Sequence, residues 1–212
     1  MTRQNNLYRS AIILAGGFSS RFGTDKGTIE FNRKLLIEHV IDAVIPIVDE
    51  TIIVTNSQER KERYSNIITA KVQFAVDNYD SKGPLVGALT GFGTAQSKYS
   101  LLLPFDTPFI SRVVVLQLFE LCLKTTAVIP RWPNGNIEPL QAVYETNMAL
   151  AAAKLAIEEG KLNLRSMIEK LNGVRYVSTL VFQQIDPNLR IFFNINNVQD
   201  LKSAENMIKR NF

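Results

Sequence analysis

Short apolar or β-branched runs alternate with amphipathic stretches along most of this chain. Ala11–Leu14, Thr51–Thr55, Val72–Val76 and Ser100–Leu103 are each brief enough to be buried strands, and the segments between them carry helical periodicity. This is a βαβ rhythm, and right-handed crossovers then place the strands mainly parallel with helices on both faces. After Phe109 the pattern predicts a helix over Val113–Leu123, a strand over Ala127–Pro130, a loop at Pro133-Asn134-Gly135 and a strand over Leu140–Tyr144. Helices follow at Asn147–Glu159 and Leu164–Leu171, then a strand at Val174–Ser178 and a closing helix from Val198 to Lys209. The sheet is expected to become mixed in this second half. The predicted architecture is α/β, a three-layer Rossmann-like fold with a mostly parallel, partly mixed sheet.

In open sheets of this kind ligands bind beyond the carboxyl ends of the strands. Three polar features fall there. Gly16-Gly17 and the following residues through Gly27 trail the first strand, Asp77 closes the third, and Asp106 follows the fourth between Pro104 and Pro108. The glycines let a backbone turn tightly and bring its N–H groups near an anion, and Arg21 and Lys26 add charge that backbone dipoles alone lack. The loop is neither of two common phosphate loops. Lys26 lies between Asp25 and Gly27, which breaks the P-loop pattern, and glycines at 16, 17, 23 and 27 break the dinucleotide pattern. Two glycines alone also suit an ordinary strand-to-helix connection; the two cations shift the balance towards phosphate.

The composition narrows the classes. A chain of 212 residues with 46% apolar and 21% charged residues is expected to form one globular domain, with residues 1–8 as a disordered tail. No apolar run approaches the roughly 20 residues of a membrane span, and Met1–Asn6 lacks a signal-peptide core, so the expected location is the cytoplasm. The net charge is +4, yet the basic residues are dispersed and not interleaved with aromatics, which argues against a nucleic-acid partner. Cys122, the single cysteine, and His39, the single histidine, are read as packing residues. Asp200 falls in the first turn of the closing helix, where a carboxylate complements the helix dipole.

Leu14-Ala15-Gly16-Gly17-Phe18-Ser19-Ser20-Arg21-Phe22-Gly23-Thr24-Asp25-Lys26 resembles the signature loop of the nucleotidyltransferases that attach a nucleotide to molybdopterin, the molybdenum cofactor guanylyltransferases in particular. Gly83-Pro84-Leu85-Val86-Gly87, Pro104 to Phe109, Glu138 to Tyr144, and Asn194-Ile195-Asn196 with Asp200-Leu201 resemble later motifs in the same order, so the likeness spans nearly the whole chain. Phe22 and Phe105 stand where the family often has Met and Cys. Neither departure removes a charge or a ligand.

The resemblance implies transfer of GMP from GTP to molybdopterin with release of pyrophosphate. Two anions must meet and charge builds on the leaving group, so the site must supply cations. Arg21, Lys26 and Asp106 are the expected catalytic residues, with Asp106 the ligand of Mg²⁺. Leu14, Ala15, Gly16, Gly17, Lys26, Asp77 and Asp106 are expected at the nucleotide, and the N–H groups of Ala15, Gly16 and Gly17 in its phosphate cradle. Glu138, Pro139, Asn194 and Asn196 are expected at the acceptor. The nucleotide half covers about 9–110 and the acceptor half about 111–212, with molybdoenzyme maturation proteins as possible partners. Relatives using CTP tend to have Ala where Gly17 stands, which favours GTP. A molybdopterin cytidylyltransferase and a transferase acting on a sugar or polyol phosphate are the alternatives within this chemistry. A non-catalytic cofactor carrier is the alternative outside it.

Overall fold

The computed structural model describes residues 9–16, 26–79 and 83–209. A seven-stranded sheet is built from β1 (Arg9–Leu14), β4 (Glu50–Thr55), β5 (Gln73–Val76), β6 (Tyr99–Pro104), β7 (Ala127–Arg131), β8 (Ala142–Glu145) and β9 (Val174–Ser178), in the order β5-β4-β1-β6-β8-β7-β9. The pairs β5/β4, β4/β1, β1/β6 and β7/β9 are parallel, whereas β8 runs against both β6 and β7. One reversed strand thus makes the sheet mixed, as expected. The small hairpin β2 (Glu30–Phe31) and β3 (Lys34–Leu35) stands apart, turned by Asn32 and Arg33, both at positive φ.

The alternation along each strand feeds two cores. Ala11, Ile13, Ile53, Leu101 and Leu103 face one side, covered by α1 (Leu36–Val44) and α4 (Arg112–Cys122). Ile12, Ile52, Val54 and Leu102 face the other, covered by α3 (Pro84–Thr94), α5 (Thr146–Glu158) and α6 (Leu164–Ile168). Strand residues buried on both faces explain the continuous apolar runs in the sequence. Tyr64 of α2 (Gln58–Ile67) closes the first core near the sheet edge. A third, smaller cluster joins Phe31, Leu36, Ile195 and Ala204, so that α7 (Val198–Lys209) and the hairpin hold the segment before α7 between them.

Element ends differ from the predicted ones by a residue or more, and in two cases the hydrogen bonds give the cause. The helix expected over Leu164–Leu171 ends at Ile168, because the N–H groups of Lys170 and Leu171 bond three residues back and Gly173 then takes a positive φ. The strand expected from Leu140 starts at Ala142, because Gln141 sits at φ 97° while its N–H donates to Leu102 O at 2.7 Å. Cys122 is fully buried, and burial pushes its thiol up to about 11. His39 bonds the Phe31 carbonyl through Nε2 at 2.7 Å. Among the described residues no helix is long and apolar enough to cross a membrane. The expected tail, 1–8, lies outside the described residues.

Candidate active site

The carboxyl ends of β1, β4, β5 and β6 share one edge of the sheet because these strands are parallel. A cleft of about 480 Å³ opens there, lined by Leu14 and Gly16 after β1, Asn56 after β4, Asp77 after β5, Gly83 before α3 and Asp106 after β6. Asp77 N–H donates to Thr55 O at 2.7 Å, which continues the β4/β5 pairing past the strand and fixes the carboxylate at the rim. Burial raises the Asp77 carboxyl above its ordinary range, while the Tyr79 N–H at 3.1 Å from Oδ1 pulls it down.

Gly16 allows a close approach. A Cβ there would lie 3.2 Å from Asn56 Cβ and 3.4 Å from its backbone nitrogen, so the chain leaving β1 passes against the start of the β4 loop. Arg60 of α2 reinforces this crossing by donating to Asn56 Oδ1 at 3.1 Å and Ala15 O at 3.4 Å. One expectation fails here. Ala15 N–H donates to Val54 O at 2.8 Å and its side chain is buried, so Ala15 extends the sheet and its N–H is not presented to a phosphate. Arg21 and Gly17 lie outside the described residues.

Lys26 opens a short turn of 3₁₀ helix, Lys26–Thr28, and is 7% exposed. Its Nζ donates to Asp106 Oδ2 and, at 2.9 Å, to Asn196 Oδ1. Residues from three distant stretches therefore converge on one ammonium. The Asp106 carbonyl accepts from Ile195 N–H at 3.0 Å, which ties the turn after β6 to the Asn194–Asn196 segment. Asp200 does more than complement a dipole. Its Oδ2 accepts from Asn196 N–H at 2.7 Å and Asn197 N–H at 3.2 Å, and Asn197 Oδ1 accepts from Asp200 N–H at 2.9 Å, a reciprocal cap that shapes this segment.

Asp106 Oδ1 is buried and has no hydrogen-bond partner among the described residues. A buried hard oxygen with free lone pairs fits a divalent cation such as Mg²⁺, which takes one or two carboxylates and completes its shell with water and phosphate oxygens. No group of three or more His, Cys, Asp or Glu side chains that could hold a metal ion forms among the described residues.

A second cleft of about 590 Å³ adjoins the first and shares Pro84, Pro104 and Leu140 with it. Glu138, Pro139 and Asn194, three of the residues expected at the acceptor, line it. Asn196 does not line it; its side chain turns to Lys26 instead. Burial raises the Glu138 carboxyl, and Trp132 Nε1–H donates to its Oε1 at 2.6 Å, which lowers it. Tyr144 braces this loop by donating from its hydroxyl to Pro139 O at 2.8 Å. Arg165 and Asn163 also line the cleft and were not anticipated. Asn163 caps α6 by accepting from Ser166 N–H at 3.0 Å, and such a cap leaves no sequence trace of which cleft it borders.

Comparison with known proteins gives this edge a family. A probable molybdenum cofactor guanylyltransferase of Methanosarcina mazei is 35% identical over 97% of this chain and 92% of its own length. A molybdenum cofactor guanylyltransferase of Desulfosudis oleivorans is 31% identical over 94% and 96%. Residues 11–174 match the MobA-like NTP transferase domain. The chain belongs to the MobA-like NTP transferase family. It is thus a nucleotidyltransferase, and enzymes of this family generally use a divalent metal. The molybdopterin-guanine dinucleotide biosynthesis protein A of Archaeoglobus fulgidus, 27% identical, superposes with a TM-score of 0.81 over 95% of this chain and 99% of that one. A 4-diphosphocytidyl-2C-methyl-D-erythritol synthase of Anaerococcus prevotii, 16% identical, has a TM-score of 0.72 over 96% of each chain and shares the fold.

Proposed function

We propose that the chain transfers GMP from GTP to the phosphate of molybdopterin, forming the guanine dinucleotide and releasing pyrophosphate. The observation that carries this reading is the meeting of Asp106 and Asn196 on Lys26, with Asp106 lining the first cleft two residues after Pro104, a residue both clefts share, in a chain whose relatives are named for this reaction. The alternatives, cytidylyl transfer and transfer to a sugar or polyol phosphate, have no comparable support.

The cleft after β1, β4 and β5 takes the nucleotide, with Gly16 and Asn56 against one side of it and Asp77 on the rim. Asp106 would hold Mg²⁺ through Oδ1, the oxygen with no partner among the described residues. The cation neutralises phosphate charge and orients the triphosphate when bound. Lys26 stabilises the charge that grows on the departing pyrophosphate, assisted by Arg21 from the glycine-rich loop. Held by the Asp106 carboxylate and the Asn196 amide, its ammonium is preorganised, so little reorganisation is needed when that charge develops. Asn194, Glu138 and Pro139 receive the acceptor in the second cleft. Because the two clefts share Pro84, Pro104 and Leu140, an acceptor in the second would bring its phosphate towards the α-phosphate beside Asp106.

The test is pyrophosphate release by purified protein with Mg²⁺, molybdopterin and each nucleoside triphosphate in turn. GTP with molybdopterin is the productive pair. Release with CTP in preference to GTP, or with a sugar phosphate in preference to molybdopterin, replaces this reading.

A further inference from the structure

Glu138 is held in a way that packing alone does not require. Its backbone N–H donates to Pro130 O at 2.9 Å, and its side chain receives the indole N–H of Trp132, a residue fixed by an edge contact with Phe192 at 5.4 Å between ring centroids. Both bonds orient the carboxylate, which is partly buried and lines the second cleft. Trp132 occupies one lone pair of Oε1. The second lone pair of that oxygen and both of Oε2 are without partners among the described residues. A partly buried, oriented carboxylate with a free acceptor site on each oxygen suits a ligand that offers two neighbouring N–H donors.

Accepting that molybdopterin is the acceptor, we infer that Glu138 reads the pterin ring by accepting hydrogen bonds from its N3–H and 2-amino groups. These donors lie side by side on the pyrimidinone edge, as the two N–H groups of a guanidinium do. The placement suits the chemistry. Glu138 shares its cleft with Pro139 and Leu140, which offer apolar contact to a planar ring, while the acceptor phosphate lies towards Pro104 and Asp106. A ring carrying a carbonyl in place of the 2-amino group sets an acceptor against the carboxylate, and the carboxylate oxygen that the ring covers is left unpaired.

Trp132 is the only tryptophan and bonds Glu138 directly, so its emission reports on this site. Pterin and lumazine, which has the 2-carbonyl, both absorb where tryptophan emits and both quench it when bound. With GTP and Mg²⁺ present, pterin quenches wild-type protein saturably and lumazine requires at least about 10-fold higher concentration. Glu138→Gln, which keeps an oxygen for Trp132, abolishes the discrimination. It also raises the molybdopterin KM about 10-fold or more, while the GTP KM stays within about two-fold. An unchanged GTP-induced melting shift verifies that the variant is folded. Equal quenching by the two rings, absence of quenching by pterin, or a molybdopterin KM unaffected in Glu138→Gln overturns the assignment. If wild-type protein releases no pyrophosphate from GTP and molybdopterin, the guanylyl-transfer reading itself falls; lost ring discrimination with turnover intact removes only the role of Glu138.

Discussion

Lys26 donates to Asn196 at 2.9 Å across 170 positions of sequence, so the glycine-rich loop and the segment before the last helix end on the same atom. Asn196→Ala removes one of the two acceptors that orient the ammonium and leaves Asp106 in place. Turnover falls, and a double-mutant cycle with Lys26→Ala gives a coupling of about 0.5–3 kcal/mol. Steady-state kcat/KM for the four proteins measures it; additive losses show that the contact is without catalytic consequence.

Lys26→Ala lowers kcat by roughly 10²–10³, about 2.7–4 kcal/mol, the range for loss of one preorganised group that meets developing charge. A higher GTP KM with kcat unchanged instead assigns Lys26 to ground-state binding.

Asp106→Asn retains an oxygen for Lys26 and loses the charge proposed to hold the cation, so the fold should persist while turnover falls by about 10² or more. Titrating Mg²⁺ at saturating GTP decides the point. Near-native activity at limiting Mg²⁺ removes Asp106 from the metal site.

GTP with Mg²⁺ at about 100 times its Kd stabilises the protein by about 2.7 kcal/mol, a rise in Tm of roughly 5–10 °C for a chain of this size. CTP, UTP and ATP at the same concentration give less. Gly16→Ala shrinks the GTP shift, because the added methyl meets Asn56 at 3.2 Å and pushes apart the two loops that flank the cleft.

Glu138 sets a pH dependence whose sign follows from its burial. Its folded pKa lies above the ordinary 4.5, so ionisation costs stability as pH rises from 4.5 through the folded value, and the cost vanishes below 4.5. Glu138→Gln cannot ionise. Its Tm without ligand therefore exceeds that of the wild type at neutral pH, and the two curves converge in acid. Parallel curves across the range rule this out.

Much of this was legible because the strands are buried on both faces and their apolar runs are unbroken. Ala11–Leu14 and Ser100–Leu103 announce themselves, and Gly16, Asp77 and Asp106 follow from the rule that ligands gather at carboxyl ends. Pairing partners were not legible. Nothing local tells that Ala15 N–H is taken by Val54, that the Asn196 side chain turns to Lys26 and not to the second cleft, or that Arg60 braces the loop after β1. Gln141 was misread for a related reason. Its left-handed backbone is imposed by the bond to Leu102, on a neighbouring strand and 39 positions away, against the local preference of a non-glycine residue. Trp132 was the missed signal: the single tryptophan, six positions before Glu138, had an indole N–H that needed a partner.

The reversal of β8 has a consequence for how such enzymes diversify. Running against β6, it brings residues 132–141 back to the rim where β6 ends, as a loop clamped at one end by β7 and at the other by β8. We expect that loop to behave as an exchangeable cassette, with Leu140, which lines both clefts, kept in any exchange. Its insertion points are pinned by the sheet, so its length and chemistry can be rewritten without displacing Lys26 or Asp106. A graft of this segment from a relative with another acceptor tests the modularity directly: the triphosphate preference should stay with the scaffold and the acceptor preference should travel with the graft.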